Sequence, residues 1–249
     1  MTKKKLMMAA MSTALVAVVG VGGTLAYLSA TAGPVENTFT VGSGYETDEE
    51  NHTGLYLDEL EYNYNTATKK NEETGERTEE GNNYQNLYPG NSFIKDPKVT
   101  MIGGSVESYV FVKVEGVDKL EAIKAPKTED AVFDIKDWAT SSWIKLKTGE
   151  NDFGEFDING EGDGYYVYAG QWATDFVVDV STKTEGSHVQ LPEPVFSTLT
   201  VNNVNTLPEN TTVTDEEVAI KACAVQATET RQGVAAAFAQ AKGELDSIE

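Results

Sequence analysis

An all-β fold, an antiparallel sandwich packed against a C-terminal amphipathic helix, is what this sequence predicts, on three observations. Past Tyr27 the chain breaks into short runs of alternating apolar and polar residues separated by turn residues, the pattern of a sandwich or barrel. One run, Ser108–Glu115, is apolar on both faces and therefore belongs at a sheet centre. The last stretch alone changes period: Val234, Phe238, Ala241, Leu245 and Ile248 fall at helical spacing, one apolar stripe on a polar segment.

The chain opens with a leader. Lys3, Lys4 and Lys5 precede an apolar run from Leu6 to Val21, then Gly22-Gly23-Thr24-Leu25-Ala26, the three parts of a signal peptide. Small residues at Thr24 and Ala26 suit cleavage of the bond between Ala26 and Tyr27, and Ala30-Thr31-Ala32 offers a second site after Ala32. The alternative is a retained anchor, since Leu6 to Leu28 is long enough to span a bilayer. The predicted organisation is a leader at 1–26, an N-terminal strand and hinge at 27–44, and one domain over 45–249.

Along that domain, Asn37-Thr38-Phe39-Thr40-Val41 alternates and stops at Gly42-Ser43-Gly44, and Leu55-Tyr56-Leu57 starts another strand. Residues 61–83 are polar and read as a long exposed loop or flexible hairpin. Ile94 to Met101 reads as a strand interrupted at Asp96-Pro97, an edge or a bend. In Ser108–Glu115, Val110, Val112 and Val114 share one face, with Tyr109 and Phe111 on the other. A short helix is expected within 119–142. Trp143 to Lys147 and Tyr165 to Trp172 form a hairpin pair around the loop 148–164, followed by strands at 176–180, 195–201 and 218–225.

Charge narrows the partners. The chain carries 19 Lys and Arg against 40 Asp and Glu, and losing the leader lysines moves the formal charge from −21 to −24. Such a surface repels phosphate backbones and anionic lipid, which argues against nucleic-acid binding. A single cysteine, Cys223, forbids an intramolecular disulfide, a usage ordinary for proteins exported by Gram-positive bacteria.

Three stretches carry a resemblance. Gly22-Gly23-Thr24-Leu25-Ala26-Tyr27-Leu28-Ser29 with Asn37-Thr38-Phe39-Thr40-Val41-Gly42 is the first. Pro89-Gly90 and Lys95-Asp96-Pro97 leading into Tyr109-Val110-Phe111-Val112-Lys113-Val114 is the second. Ala219-Ile220-Lys221-Ala222-Cys223-Ala224-Val225-Gln226-Ala227 is the third. In this order they resemble the TasA/camelysin family of Gram-positive biofilm-matrix proteins; the segments 61–83 and 148–164 have no counterpart in that pattern. The resemblance implies a jelly-roll-like sandwich, leader removal by a dedicated signal peptidase after Ala26, and secretion to the extracellular matrix or cell surface. It also implies fibres built by donor-strand complementation, in which the N-terminal segment of one subunit completes a sheet of the next, alone or with accessory matrix subunits. Asn37, Thr38, Phe39, Thr40 and Val41 would be the donor strand, with Phe39 and Val41 filling pockets. The alternative for this strand is pairing within its own sheet.

Catalytic chemistry is thinly supported, and no catalytic residue is assigned. Camelysins have been described as metalloproteases, but a zinc protease of the common type wants two histidines at helical spacing with a glutamate base. The two histidines here, His52 and His188, lie 136 positions apart in loop-like surroundings. A metalloprotease remains the different-class alternative and predicts bound zinc at those two residues. Cys223 sits in a predicted strand, where burial is its expected role.

The segment around Asp157, Asn159, Glu161 and Asp163 begins like a calcium loop, with a glycine in sixth place, but Tyr168 stands where the bidentate glutamate belongs. A solvated turn is the preferred reading there and calcium the lesser one. Leu207-Pro208-Glu209-Asn210-Thr211 lacks the register of a wall-sorting signal. Tyr165-Tyr166-Val167-Tyr168 could line a binding site in a monomeric adhesion module, the third reading. The expected function is a fibre-forming structural subunit, with no cofactor required.

Overall fold

The computed structural model describes residues 29–32, 44–125, 128–204, 218–227 and 233–248. The architecture is β-rich and sandwich-like, with curled antiparallel sheets and a C-terminal helix. The largest sheet runs in the order β1 (Ser29–Ala32), β15 (Ala219–Gln226), β6 (Ser108–Glu115), β10 (Gly164–Tyr168), β8 (Trp143–Leu146) and β9 (Phe156–Asp157). Beyond the end of β10, β12 (Val177–Val178) takes over the same side of β6 and carries β11 (Ala173–Thr174). Among the described residues there are two smaller sheets. One is β13 (His188–Gln190), β5 (Lys98–Ile102), β2 (Leu55–Asn65) and β3 (Lys70–Thr78), and the other is β4 (Ser92–Ile94), β14 (Thr198–Val201) and β7 (Phe133–Lys136).

Period-two side-chain alternation in β6 and its neighbours builds two cores at once. Val110, Val112 and Val114, with Tyr166, Tyr168, Ala222 and Ala224, face the smaller sheets and pack with Leu55, Val99, Met101, Ile135 and Leu199. Tyr109, Phe111, Tyr165, Val167, Cys223 and Val225 face the other way and are covered by α2 (Val234–Ser247) through Ala237, Phe238, Ala241 and Leu245. The expectation of a central strand at 108–115 and a packed C-terminal helix is met on both counts. Gly154, at φ 75°, lets the 148–164 loop approach the start of α2, where a Cβ would stand 2.8 Å from the Ala235 methyl.

Several elements refine the expectation. The run 94–101 is not one interrupted strand: β4 and β5 lie in different sheets, and Asp96-Pro97 is where the chain crosses between them. Proline cannot donate to a ladder, so a sheet change is a place that tolerates it. The polar segment 61–83 is a regular hairpin, β2 paired to β3 with an irregularity between Leu60 and Tyr62. Within 119–142 the helix is brief, α1 (Val117–Glu121), and the apolar residues Phe133 and Ile135 belong to β7.

Candidate functional site

Two places bring chemistry-bearing or assembly-competent groups together. The first is the β15 edge of the largest sheet. β15 pairs along its whole length with β6, from Ala219 opposite Glu115 to Gln226 opposite Ser108. On its other side it meets β1 antiparallel, Ser29 opposite Val225 through Ala32 opposite Ala222, so β1 covers half of an eight-residue strand. The covering strand is short and comes from sequence immediately past the Ala26–Tyr27 bond. Behind β15, buried Tyr45 sends its hydroxyl to the Ala224 carbonyl at 3.2 Å and to Ser108 Oγ at 3.0 Å. The root of the N-terminal segment is thereby tied to the strand its earlier residues pair with.

The second place lies where the loop after Tyr45 meets β13. The loop turns back through a bridge between Thr47 and Thr53, with Asn51 at φ 73°, a left-handed position that asparagine tolerates better than most residues. Asp48 Oδ1 accepts from the amides of Glu50 and His52, both at 2.9 Å, which fixes the carboxylate. Its other oxygen receives both histidines of the protein: His52 Nδ1 at 2.7 Å and His188 Nε2 at 2.9 Å. His52 Nε2 reaches Glu79 Oε1 at 2.9 Å, and His188 Nδ1 lies 3.4 Å from the Tyr56 hydroxyl. Tyr56 also stacks on His52, with centroids 4.3 Å apart, and meets His188 edge-on at 5.5 Å. Glu50 Oε2 stands 3.9 Å from His52 Nδ1.

The electrostatics follow from those contacts. Burial is the largest single influence and disfavours charge on both Asp48 and His52, but their mutual hydrogen bond and attraction, with the loop amides on Asp48 and Glu79 on His52, together outweigh it. The Asp48 carboxyl is held below its usual range, and His52, with Glu79 on its far side, above the usual imidazole range. Carboxylates on both nitrogens favour the imidazolium form of His52. His188 satisfies its two contacts with the proton on Nε2 and Tyr56 donating to Nδ1, an assignment made from the network.

The residues singled out in the sequence fare differently. Thr24, Ala26, Tyr27 and the donor strand Asn37, Thr38, Phe39, Thr40 and Val41 lie outside the described residues. Asp157, Glu161 and Asp163 do not converge: among the described residues the only such group is Asp48, Glu50 and His52. Asp163 Oδ1 instead accepts from the amides of Val117 and Asp118, at 2.7 and 3.3 Å, at the start of α1. Asp157 lies in β9 opposite Lys145, and Asn159 is in the exposed turn that follows.

Tyr165, Tyr166 and Tyr168 are buried packing residues; the latter two donate to the Gly162 carbonyl and Glu193 Oε2, each at 2.6 Å. Cys223 is fully buried, and burial pushes its thiol well above the usual range. Sequence reasoning treated His52 and His188 as separate loop residues. The one local signal was Asp48 four residues before His52 in a turn-forming stretch, and nothing in the sequence linked either to β13. Comparison with known protein families, characterised proteins and solved structures finds no match to this chain.

Proposed function

We propose that the protein is an exported structural subunit of the TasA/camelysin type, a jelly-roll-like domain that assembles head to tail by strand addition at β15. The observation that carries this reading is the pairing of β1 with the outer side of β15. Among the described residues, a four-residue strand next to a predicted cleavage bond is all that pairs with the outer side of β15. Such an edge is a ready template for another chain, because its unpaired N–H and C=O groups are regularly spaced. The antiparallel pairing of β1 with β15 inside the chain supports this reading, because the same ladder offered between copies does not close on itself and so grows as a filament. The acidic surface sets a cost on non-specific contact between copies, which leaves backbone pairing as the specific one.

The two predicted cleavage sites have opposite consequences here. A cut after Ala26 leaves β1 on the mature chain, whereas a cut after Ala32 removes it and uncovers β15. The test compares three purified chains, beginning at Tyr27, Gly33 and Tyr45, by electron microscopy and size exclusion. Filaments from the first two but not the third identify residues 37–41 as the donor. Filaments from the first alone assign that role to β1. Monomers from all three reject strand addition by this protein.

A further inference from the structure

Lysine and glutamate seldom go inside a protein unless they are paired. Lys95 and Glu59 are both there, with side chains 10% and 6% exposed that meet at 2.8 Å. A structural ion pair needs only these two groups, but a third is held against them. Glu59 Oε2 accepts from Lys95 Nζ, and Glu59 Oε1 accepts from Asn82 Nδ2, also at 2.8 Å. The Asn82 amide is fixed at both ends: Nδ2 also donates to the Leu60 carbonyl at 2.7 Å, and Oδ1 accepts from the Tyr62 amide at 2.6 Å.

The surroundings hold these three groups in register. Arg77 binds the carboxylate and the carbonyl of Asp58, the residue before Glu59, and does the same for Asp96, the residue after Lys95. Two positions from Asn82 and two from Lys95, the rings of Tyr84 and Phe93 lie 4.8 Å apart, and each lies 5.7 Å from Tyr62. One carboxylate thus touches an amine and the nitrogen of a primary amide, while a backbone N–H is aimed at that amide's oxygen. This is a nucleophile, a proton relay, a leaving group and a donor placed where negative charge develops in acyl transfer. Passing one proton across the Lys95–Glu59 contact turns the ion pair into an amine and an acid, the uncharged forms that burial favours.

We propose that Lys95 and Asn82 join in an intramolecular isopeptide bond, with Glu59 as the proton relay. Lys95 Nζ attacks Asn82 Cγ, and the carbonyl electron pair moves onto Oδ1 at the Tyr62 N–H. Glu59 delivers its proton to Nδ2 and takes one from Nζ. The Cγ–Nδ2 bond breaks as the carbonyl re-forms, and ammonia leaves. The new Nζ–Cγ amide keeps one hydrogen, and the remaining proton stays on Glu59, which is then uncharged in its buried place. Nothing is oxidised or reduced, and no co-reactant is needed. The bond ties the chain leaving β3 to the chain crossing from β4 to β5, a crosslink that reductants cannot open in a protein whose single cysteine forbids an internal disulfide. It does not depend on strand addition.

The test is the intact mass of the chain beginning at Tyr27, incubated folded and then denatured. A mass lower than the sequence mass by one ammonia is expected. Chymotryptic cleavage at Tyr84, Tyr88 and Phe93 should leave the Asn82 and Lys95 peptides joined. N82A retains the Lys95–Glu59 pair, so its fold can be verified by circular dichroism, and it should keep its full mass. E59Q, verified as folded in the same way, should form the joined peptides at least about 100-fold more slowly. A full mass for the unaltered folded chain would overturn the bond, and so would an ammonia loss that persists in N82A. Joined peptides formed by folded E59Q at the parent rate would overturn the relay.

Discussion

Beneath α2 the large sheet presents Tyr109, Phe111, Tyr165 and Val225 to an apolar helix face, and hydrocarbon contact dominates between the two, with polar contacts only toward the helix's C-terminal end. The four-stranded sheet β13–β5–β2–β3 is secured quite differently at its rim. Arg77 on β3 reaches Asp58 at 2.8 Å, Asp96 at 2.9 Å and the carbonyls of both residues. Lys95 and Glu59 form a pair at 2.8 Å with both side chains nearly buried, and the histidine cluster joins β13 to the loop before β2. The difference reflects position. A sheet covered on both faces can rely on area, which is non-directional and tolerant of sequence. A sheet whose outer strand is the polar hairpin partner β3 must be located by directional contacts, so the charge-rich sequence there serves registry.

Truncating the apolar region should give the largest effect. Phe238 is fully buried and meets Phe153, Tyr165 and Phe111 at centroid distances of 4.9, 5.3 and 5.9 Å. F238A should cost about 3–5 kcal/mol in denaturant unfolding. That loss should hardly change with added salt, because no charge is involved. A strongly salt-dependent loss would mean the helix is held electrostatically after all.

The buried pair in the other region should break in a way that area does not. K95M leaves the Glu59 carboxylate, 6% exposed, with Asn82 Nδ2 at 2.8 Å as its one remaining side-chain donor among the described residues and, apart from the lost crosslink, should cost about 3 kcal/mol. Adding E59L removes the stranded charge, and the double variant should regain most of that loss. Measured as a double-mutant cycle, this separates the penalty for an orphaned charge from the worth of the pair. Additive single effects would place the two side chains outside any shared interaction.

How much of this could be read from the sequence follows the same division. β6, β10, β15 and α2 were legible because periodicity reports burial, and these elements are long enough to show a period. β7, β9 and β13 were not, since strands of two to four residues owe their conformation to partners rather than to pattern. Pro97 announced a break in the run 94–101, but that the break moves the chain to another sheet is a tertiary fact. The pairing of β1 was not foreseen: the strand expected in the N-terminal segment was 37–41, and Ala30-Thr31-Ala32 read as a cleavage site rather than a strand. The histidine cluster was hidden most completely. Its members are joined by the return of β13 beside β5, which carries His188 to Ile102 and so to the Asp48 loop.

The smallest effect belongs to a charged cluster at the end of α2, on the margin of the apolar side, and it sharpens the contrast. Asp246, on the last turn of α2, accepts from the Tyr165 hydroxyl and pairs with Lys113 at 2.9 Å and with Lys242. Partial burial resists its ionisation, but the hydrogen bonds from Lys242, Tyr165 and Lys113 prevail and hold the carboxyl well below its usual range. A depressed folded-state pKa means the contribution is fully present above the unfolded value, about 3.9, and is lost as pH falls through the folded one. Because the carboxylate is 37% exposed, solvent screens it, and D246N should cost no more than about 1 kcal/mol at neutral pH. The Tm gap between D246N and the parent chain should therefore be small and steady from pH 7 to about pH 5, and should narrow below about pH 4. It should also shrink with salt, unlike the F238A deficit. A gap that persists undiminished at low pH would make Asp246 a packing residue, and the helix would then be held by shape alone.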